Sequence, residues 1–445
     1  MMKGHINEDL FIYDVKRFQK FHSKINFIKE RVTETLGDLY GMHWPYKQHK
    51  TSRNQIILPY HEELKKAGAC FGVVGGYERP MWFSKKDQKP KYEYSYDYQN
   101  WYPSVEYETI NTRKNIGLFD LTPFAKFELK GQQSHSELQR ICTANIKDEK
   151  GRTTYTQMLN EEGGIESDIT VVCLEKNHFR IISSAAVRIR DKHHVLKYLD
   201  SRVEFKDITE DYACLGLFGP KSRSLITELA GDHFETKYFP FATGKYITIE
   251  SIKIWAQRLS YVGELGWELY IPLNESNKIY NKIVEIGKKY ELCHAGAHAM
   301  DTLRMEKGYL HWGHDISPEE NQYEAGLDFA ISYKKNVNFI GKNFLDKIKN
   351  KKIKKKLVIL SLKESQPGFP LLLHDEPIYC NNQIIGRTTS GNYSFNYKKN
   401  MAFAYINISE KLDTKNLEIE VEKKKYKIII EDKPFHDSEN KIMKE

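Results

Sequence analysis

Along residues 105–333 the apolar positions switch repeatedly between two periods. Ala125-Lys126-Phe127-Glu128-Leu129-Lys130 alternates apolar and polar, which predicts a half-buried strand, and Gly131 ends it. Residues 134–142 space their apolar positions as a helix does. Gly163-Gly164 then turns the chain into 165–172, a strand rich in β-branched residues. A strand over 179–183 and a helix over 188–199 follow. The order recurs: strand 214–218, helix 221–230, strands 252–260 and 267–271, helix 276–290, with a further helix over 105–116 at the start. Such alternation predicts an α/β or α+β layer architecture. From about 357 the helical period fades. Short strands over 357–362, 383–388, 402–406 and 417–421 predict a small β-barrel or sandwich. Residues 1–104 are rich in aromatics and lack a clear period. Within them, 36–44 and 67–82 read as loops on their glycine and proline content. Residues 92–102 predict an extended segment whose even-numbered tyrosines share one face.

Length and charge change this picture only slightly. The 445 residues suggest about three domains. Lys plus Arg number 68 and Asp plus Glu 60, so the net charge is only +8. Its basic excess gathers in residues 334–356. That stretch reads as a solvated connector between the alternating region and the β region, or as a collar for a polyanion. Neither nucleic acid nor membrane is implied: no window holds 18 uninterrupted apolar residues. Residues 1–9 lack the apolar stretch of a secretory signal. The six cysteines form no C-x-x-C pair, which argues against zinc knuckles, and their wide spacing suits a reducing cytosol or a mitochondrial matrix, of which a cytoplasmic setting is the expectation.

Several familiar motifs fail. Gly216-Leu217-Phe218-Gly219-Pro220-Lys221-Ser222 has the wrong spacing for a phosphate loop, and Pro220 lacks the N–H such a loop uses. Gly72-Val73-Val74-Gly75-Gly76 is too short for a dinucleotide fingerprint, so no flavin site is expected in this chain. His294 and His298 lack the adjacent glutamate of a zinc-protease helix, and His311-Trp312-Gly313-His314-Asp315 lacks a third ligand motif, so no metal is expected. Three charged residues carry more. Asp168 follows the double glycine in Ile165-Glu166-Ser167-Asp168-Ile169-Thr170-Val171, as a solvated strand-end acid or a functional one. Glu264 stands between glycines in Tyr261-Val262-Gly263-Glu264-Leu265-Gly266-Trp267, as an exposed turn residue or a carboxylate that pairs with a planar heterocycle. Arg304 lies on a predicted helix, as a fork for a ligand carboxylate or as the partner of Asp301 or Glu306.

These segments, with Gly151-Arg152-Thr153-Thr154-Tyr155-Thr156-Gln157, Leu303-Arg304-Met305-Glu306-Lys307-Gly308-Tyr309, Gly75-Gly76-Tyr77-Glu78-Arg79-Pro80-Met81-Trp82-Phe83, Asn115-Ile116-Gly117-Leu118-Phe119-Asp120-Leu121 and Thr388-Thr389-Ser390-Gly391, resemble the tetrahydrofolate-binding half of dimethylglycine and sarcosine dehydrogenases. They resemble more distantly the glycine-cleavage aminomethyltransferase, or T-protein. The resemblance runs from about residue 10 to the end. It implies an α+β fold: a three-domain cloverleaf around a folate channel, with a C-terminal β-barrel and an N-terminal extension. The segments would be 1–104, resembling the connection between flavin and folate parts, 105–345 for the folate-binding region, and 346–445 for the barrel.

The resemblance further implies roles. Asp168 would lie beside the reacting folate nitrogen. Glu264 would bind the pterin edge with Tyr261 beside it, and Arg304 would meet the glutamyl tail. Tyr155 and Trp312 would stand near the pocket. The expected activity is tetrahydrofolate-dependent one-carbon transfer from a methylated amine such as dimethylglycine or sarcosine, with a separate FAD-dependent subunit as oxidant. Alternatives are folate-dependent demethylation of a sulfonium such as dimethylsulfoniopropionate, or a non-catalytic folate-binding subunit. Relatives that assist iron–sulfur assembly carry a cysteine motif that this chain lacks at 261–264. Polyglutamyl folate would also give the 334–356 lysines a small polyanionic partner.

Overall fold

The computed structural model describes residues 13–408 and 416–445. The expectation about a leader in residues 1–9 therefore lies outside the described residues. The architecture is α+β, built on two open sheets, a closed barrel and an N-terminal hairpin. One sheet has five strands in the order Thr153–Leu159, Ile165–Glu175, His178–Ser183, Ala125–Lys130, Glu204–Asp207, all antiparallel. The other has six, in the order Thr243–Ile249, Ile252–Arg258, Gly266–Pro272, Tyr212–Phe218, Ile116–Asp120, Leu292–Ala295, with only the last pairing parallel. Their edges meet. Thr153 N–H donates to Ala242 O at 3.0 Å and Gly244 N–H to Gly151 O at 2.7 Å. The barrel closes through Lys355–Leu362, Lys399–Asn407, Gln383–Ser394, Pro377–Cys380, Leu417–Val421 and Lys424–Glu431.

The alternation expected from the sequence is what places the cores. Phe127 and Leu129 point into one core with Val171 and Ile181, while Lys130 stays exposed. Leu217, Trp267 and Leu269 of the six-stranded sheet are fully covered by helices Ser222–Ala230 and Ser276–Gly287. Two-layer burial of this kind is the main stabilising term. Helix Ala297–Lys307 lies where the bodies meet: Leu303 packs toward the open sheets and Met305 against Met401 and Phe403 of the barrel. All six cysteines are buried.

Three expectations need correction. The stretch 67–82 is not loop: Ala69–Val74 and Tyr77–Phe83 pair as a hairpin, and Gly75-Gly76 make only its turn, both at positive φ. Residues 334–356 form a connector that is only partly solvated. Helix Lys342–Ile348 lies within them, Phe339 and Leu345 are buried, and Lys335 donates to the carbonyls of Gln139 (2.8 Å), Cys142 and Ala144 (3.1 Å). Burial lowers the Lys335 pKa to about 8. The even tyrosines of 92–102 do not share a face. Tyr92 stacks on Tyr94, whereas Tyr96 meets Trp44 and Tyr98 meets Tyr102.

Candidate functional site

Asp168 sits inside a strand, not at a solvated end. The antiparallel register sets Gln157 directly opposite it, and Tyr155 two residues away on the same face. Gln157 Nε2 donates to Asp168 Oδ1 at 2.8 Å. That orientation is fixed from behind, because Gln157 Oε1 accepts from Gln322 Nε2 at 2.6 Å and Gln322 also donates to Thr143 Oγ1 at 3.1 Å. The Tyr155 hydroxyl also bonds Asp168. Burial dominates the balance and raises the Asp168 pKa to about 6, against the hydrogen bonds of Gln157 and Tyr155. The double glycine does more than turn the chain. Gly163 has φ +79°, and a Cβ there would meet the Phe344 ring at 2.4 Å, while one at Gly164 would meet Pro318 O at 2.0 Å. Trp312 closes the same corner: its indole N–H donates to Ile165 O at 3.0 Å, under the Arg190 guanidinium 4.9 Å from its ring.

Tyr261 faces this cluster from the six-stranded side. Asp168, Asp301, Asp315 and Arg304 are the charges around it, and its hydroxyl donates to Leu310 O at 2.8 Å. Three residues on, Glu264 is no exposed turn residue: it is 2% accessible. Its Oε1 accepts from Arg113 Nη1 at 3.0 Å and lies 2.9 Å from His436 Nε2. Its other oxygen has no partner among the described residues. Arg113 is shared with Glu306, whose Oε2 takes Nη2 at 2.8 Å and Nε at 3.1 Å.

Arg304 is a hub within the protein. Nε donates to Asp301 (2.9 Å), Nη1 to Asp315 (2.6 Å) and Tyr309 O (3.1 Å), and Nη2 to Ser390 Oγ of the barrel (2.8 Å). Burial works against this charge, but Asp301 and Asp315 outweigh it and hold the guanidinium protonated. Of the alternatives open in the sequence, the partner is Asp301 and not Glu306. Asp315 is likewise fully used, accepting from Arg304, His311 N, Thr389 Oγ1 and Ser390 Oγ. His294 bonds Tyr280 (2.7 Å), and His298 bonds Tyr92 (2.9 Å) and stacks on Trp101.

The structure thus brings Asp168, Tyr155 and Tyr261 together, places Arg304 and its acids beside them, sets Glu264 at the end of the Tyr261 turn, and puts Trp312 at the hairpin's base. Sequence reasoning missed Gln157, Gln322, Arg113 and His436. Only Gln157 left a signal, since strand pairing across the double-glycine turn sets it opposite Asp168.

Comparison with known proteins agrees with this geometry. Residues 60–335 match the GCVT N-terminal domain, residues 355–437 the glycine cleavage T-protein C-terminal barrel domain, and residues 3–56 the FAD dependent oxidoreductase central domain. The chain is 34% identical over 438 residues to the 4-methylaminobutanoate oxidase (formaldehyde-forming) of Paenarthrobacter nicotinovorans, covering 98% of this chain and 53% of that protein. It is 31% identical over 317 residues to the aminomethyltransferase of Halothermothrix orenii, covering 70% of this chain and 87% of that one. The crystal structure of aminomethyltransferase T from Bartonella henselae superposes with a TM-score of 0.74 at 22% identity, over 86% of this chain and 99% of that one, which speaks for the fold. The chain spans about half the length of the oxidase and dehydrogenase relatives it matches. With two family domains matched in order and a closed barrel, the chain belongs to the glycine-cleavage T-protein family.

Proposed function

We propose that this chain binds tetrahydrofolate between Tyr155, Asp168, Tyr261 and Glu264 and moves a one-carbon unit onto it from a methylated amine such as dimethylglycine or sarcosine. Asp168 carries the reading. It is a carboxyl oriented by an amide relay, with its pKa raised to about 6 and an aromatic hydroxyl on it. A group in that range can accept and return a proton near neutrality. Tetrahydrofolate, when bound, supplies the nitrogen that takes up the carbon. Asp168 would take the proton released as the new carbon–nitrogen bond forms and return it to the departing amine. Its negative charge would also favour the cationic carbon centre before transfer. The unpaired oxygen of Glu264 suits the N–H edge of a pterin, and the rings of Tyr155 and Tyr261 offer faces for stacking.

Oxidation of the amine belongs in this reading to a flavoprotein. What supports it is the match of residues 3–56 to an oxidoreductase central domain, and the surface found there. Helix Ile25–Asp38 carries Ile25, Ile28, Val32 and Leu36 in a helical row, each at least 41% exposed, and Leu39 continues it at 61%. A row of that kind marks a protein contact. The test is calorimetric titration with tetrahydrofolate, then transfer assays with dimethylglycine and sarcosine, with and without a flavoprotein. Micromolar folate binding and formation of methylene-tetrahydrofolate are expected. Absence of folate binding by folded protein overturns the reading, and methyl-tetrahydrofolate as product would replace the amine reaction with a demethylation.

A further inference from the structure

One half-buried cation has no role in the cluster described so far. Arg79 stands on strand Tyr77–Phe83, which is locked to the central helix because Glu108 accepts from both Phe83 N (2.7 Å) and Gly296 N (2.9 Å). The more deeply placed arginines all have acceptors: Arg113 and Arg304 as above, Arg180 on Glu128, Arg190 on Glu166 and Arg258 on Phe239 O. Arg79 has none among the described residues, and its Nε is enclosed without a partner. The groups around it are Asp120, Tyr92, Asp301 and Tyr261. Asp301 is held elsewhere, taken by Arg304 and Asn392, whereas Asp120 is held through Oδ1 by Tyr60 and Thr122 and keeps Oδ2 enclosed without a partner. An enclosed guanidinium N–H without an acceptor is costly, and an anion received on the open fork beside it relieves that cost.

We propose that Arg79 is the carboxylate anchor of the central site, receiving a ligand carboxylate in a two-pronged hydrogen bond between Tyr92, Tyr261 and Asp301. The proposal rests on the folate reading above. It also resolves a difficulty in it. The resemblance gives the folate tail to Arg304, yet four N–H bonds of that guanidinium are already made inside the protein. Arg79 is the cation still open, and the planar fork of arginine fits a carboxylate. Two sources share that chemistry: the glutamyl group of folate and the acid group of the methylated amino acid.

The experiment uses the full chain with Arg79→Met and Arg79→Lys. Calorimetry compares tetrahydrofolate with tetrahydropteroate, which lacks the glutamate, and dimethylglycine with trimethylamine, which lacks the acid. The wild type should prefer one carboxylated ligand by about tenfold or more, the scale of a charged hydrogen-bonded pair. That preference should collapse in Arg79→Met and be partly kept in Arg79→Lys. Collapse in the folate pair assigns the tail, and collapse in the amine pair assigns the donor. Thermal unfolding gives an independent readout: Arg79→Met should unfold at the wild-type temperature or above, because no internal acceptor is lost. Preferences that survive in Arg79→Met overturn the proposal while leaving folate binding intact. So does a marked loss of stability or failure to fold, which would make Arg79 the structural partner of Asp120. A wild type that binds neither ligand class overturns the folate reading and this proposal together.

Discussion

The N-terminal helix and the central site invert the usual arrangement in opposite senses. Helix Ile25–Asp38 buries only Phe27 and shows a row of aliphatic side chains to solvent. The centre does the reverse, enclosing Arg113, Glu264, Glu306, Arg304 and Asp315 among aromatics. Exposed apolar rows are relieved by another protein, whereas enclosed charges are tolerated when they pair or receive a polar ligand. The contrast separates two functions. In the proposed reading one face meets a macromolecule and one interior receives a small charged molecule. It also explains why stability and chemistry should respond differently to substitution in the two places.

The largest expected effect is at Asp168. Asp168→Asn should lower one-carbon transfer by about 10²–10⁴-fold, the range of a positioned acid–base group. Folate affinity should stay within a few-fold. In the wild type the acid limb of the pH–rate profile should fall through about pH 6, where the carboxylate becomes protonated, and the variant should lack that limb. The sign for stability is opposite to the usual acidic residue. The folded pKa lies above the unfolded value, so the native state is penalised above about pH 6 and relieved as pH falls through it. Asp168→Asn should therefore unfold at a higher temperature at pH 8, by on the order of 1 kcal/mol. Unchanged turnover at pH 8 would remove the proposed proton role.

Arg113→Met probes the enclosed charges that bear on structure. It leaves Glu264 and Glu306 facing each other without their shared cation. Breaking such a buried pair costs about 3–5 kcal/mol. Denaturant titration should show that loss with little change in slope. A loss under 1 kcal/mol would mean that His436, Ser394 and Asn396 carry the two acids by themselves.

The two corrections at the centre of the fold show where sequence reading stops. Period identified six strands of the two open sheets, because their alternation is local, and missed Ile116–Asp120, Thr153–Leu159, Glu204–Asp207, Thr243–Ile249 and Leu292–Ala295. Asp168 was legible from the double glycine, since the turn and the β-branched run after it are neighbours in sequence. Its supports were not. Gln322 reaches Gln157 across 165 residues and Arg113 reaches Glu264 across 151, and neither distance leaves a local trace. The lysine-rich 334–356 stretch misled for a related reason. Composition reports mean polarity, while its fate was set by Phe339, Leu345 and the Lys335 ammonium finding three carbonyls. The hairpin in 67–82 was hidden because Gly75-Gly76 read as punctuation for a whole loop, although a hairpin turn requires only two residues.

On the N-terminal side, Val32→Glu with Leu36→Lys should weaken capture of a flavoprotein partner by about tenfold or more, because two apolar contacts become charges at a buried interface. The same pair should change unfolding free energy by only about 0.5 kcal/mol, as exposed positions do, and leave folate affinity within twofold. Sedimentation of mixtures with the candidate flavoprotein measures the first, and calorimetry the last. If folate affinity falls with partner binding, the two regions are not independent and the contrast drawn above is wrong.

The smallest effect tests how far the interior is tuned rather than merely charged. Gln322→Leu removes the donor that holds Gln157 Oε1, and with it the reason Gln157 presents its N–H to Asp168. The carboxylate keeps the Tyr155 hydroxyl but loses the certainty of its second donor. Hydrogen bonds to a carboxylate favour its charged form, so weakening one raises the pKa further. The acid limb should therefore move to higher pH, by about half a unit to one unit, with a few-fold loss of turnover at pH 6.5 and almost none at pH 8.5. Gln157→Leu should move it further in the same direction, since the donor itself is gone. A structural role alone would depress turnover equally at both pH values. A limb that stays in place in both variants would show that burial by itself sets the Asp168 pKa, and that the amide relay fixes only where the carboxylate points.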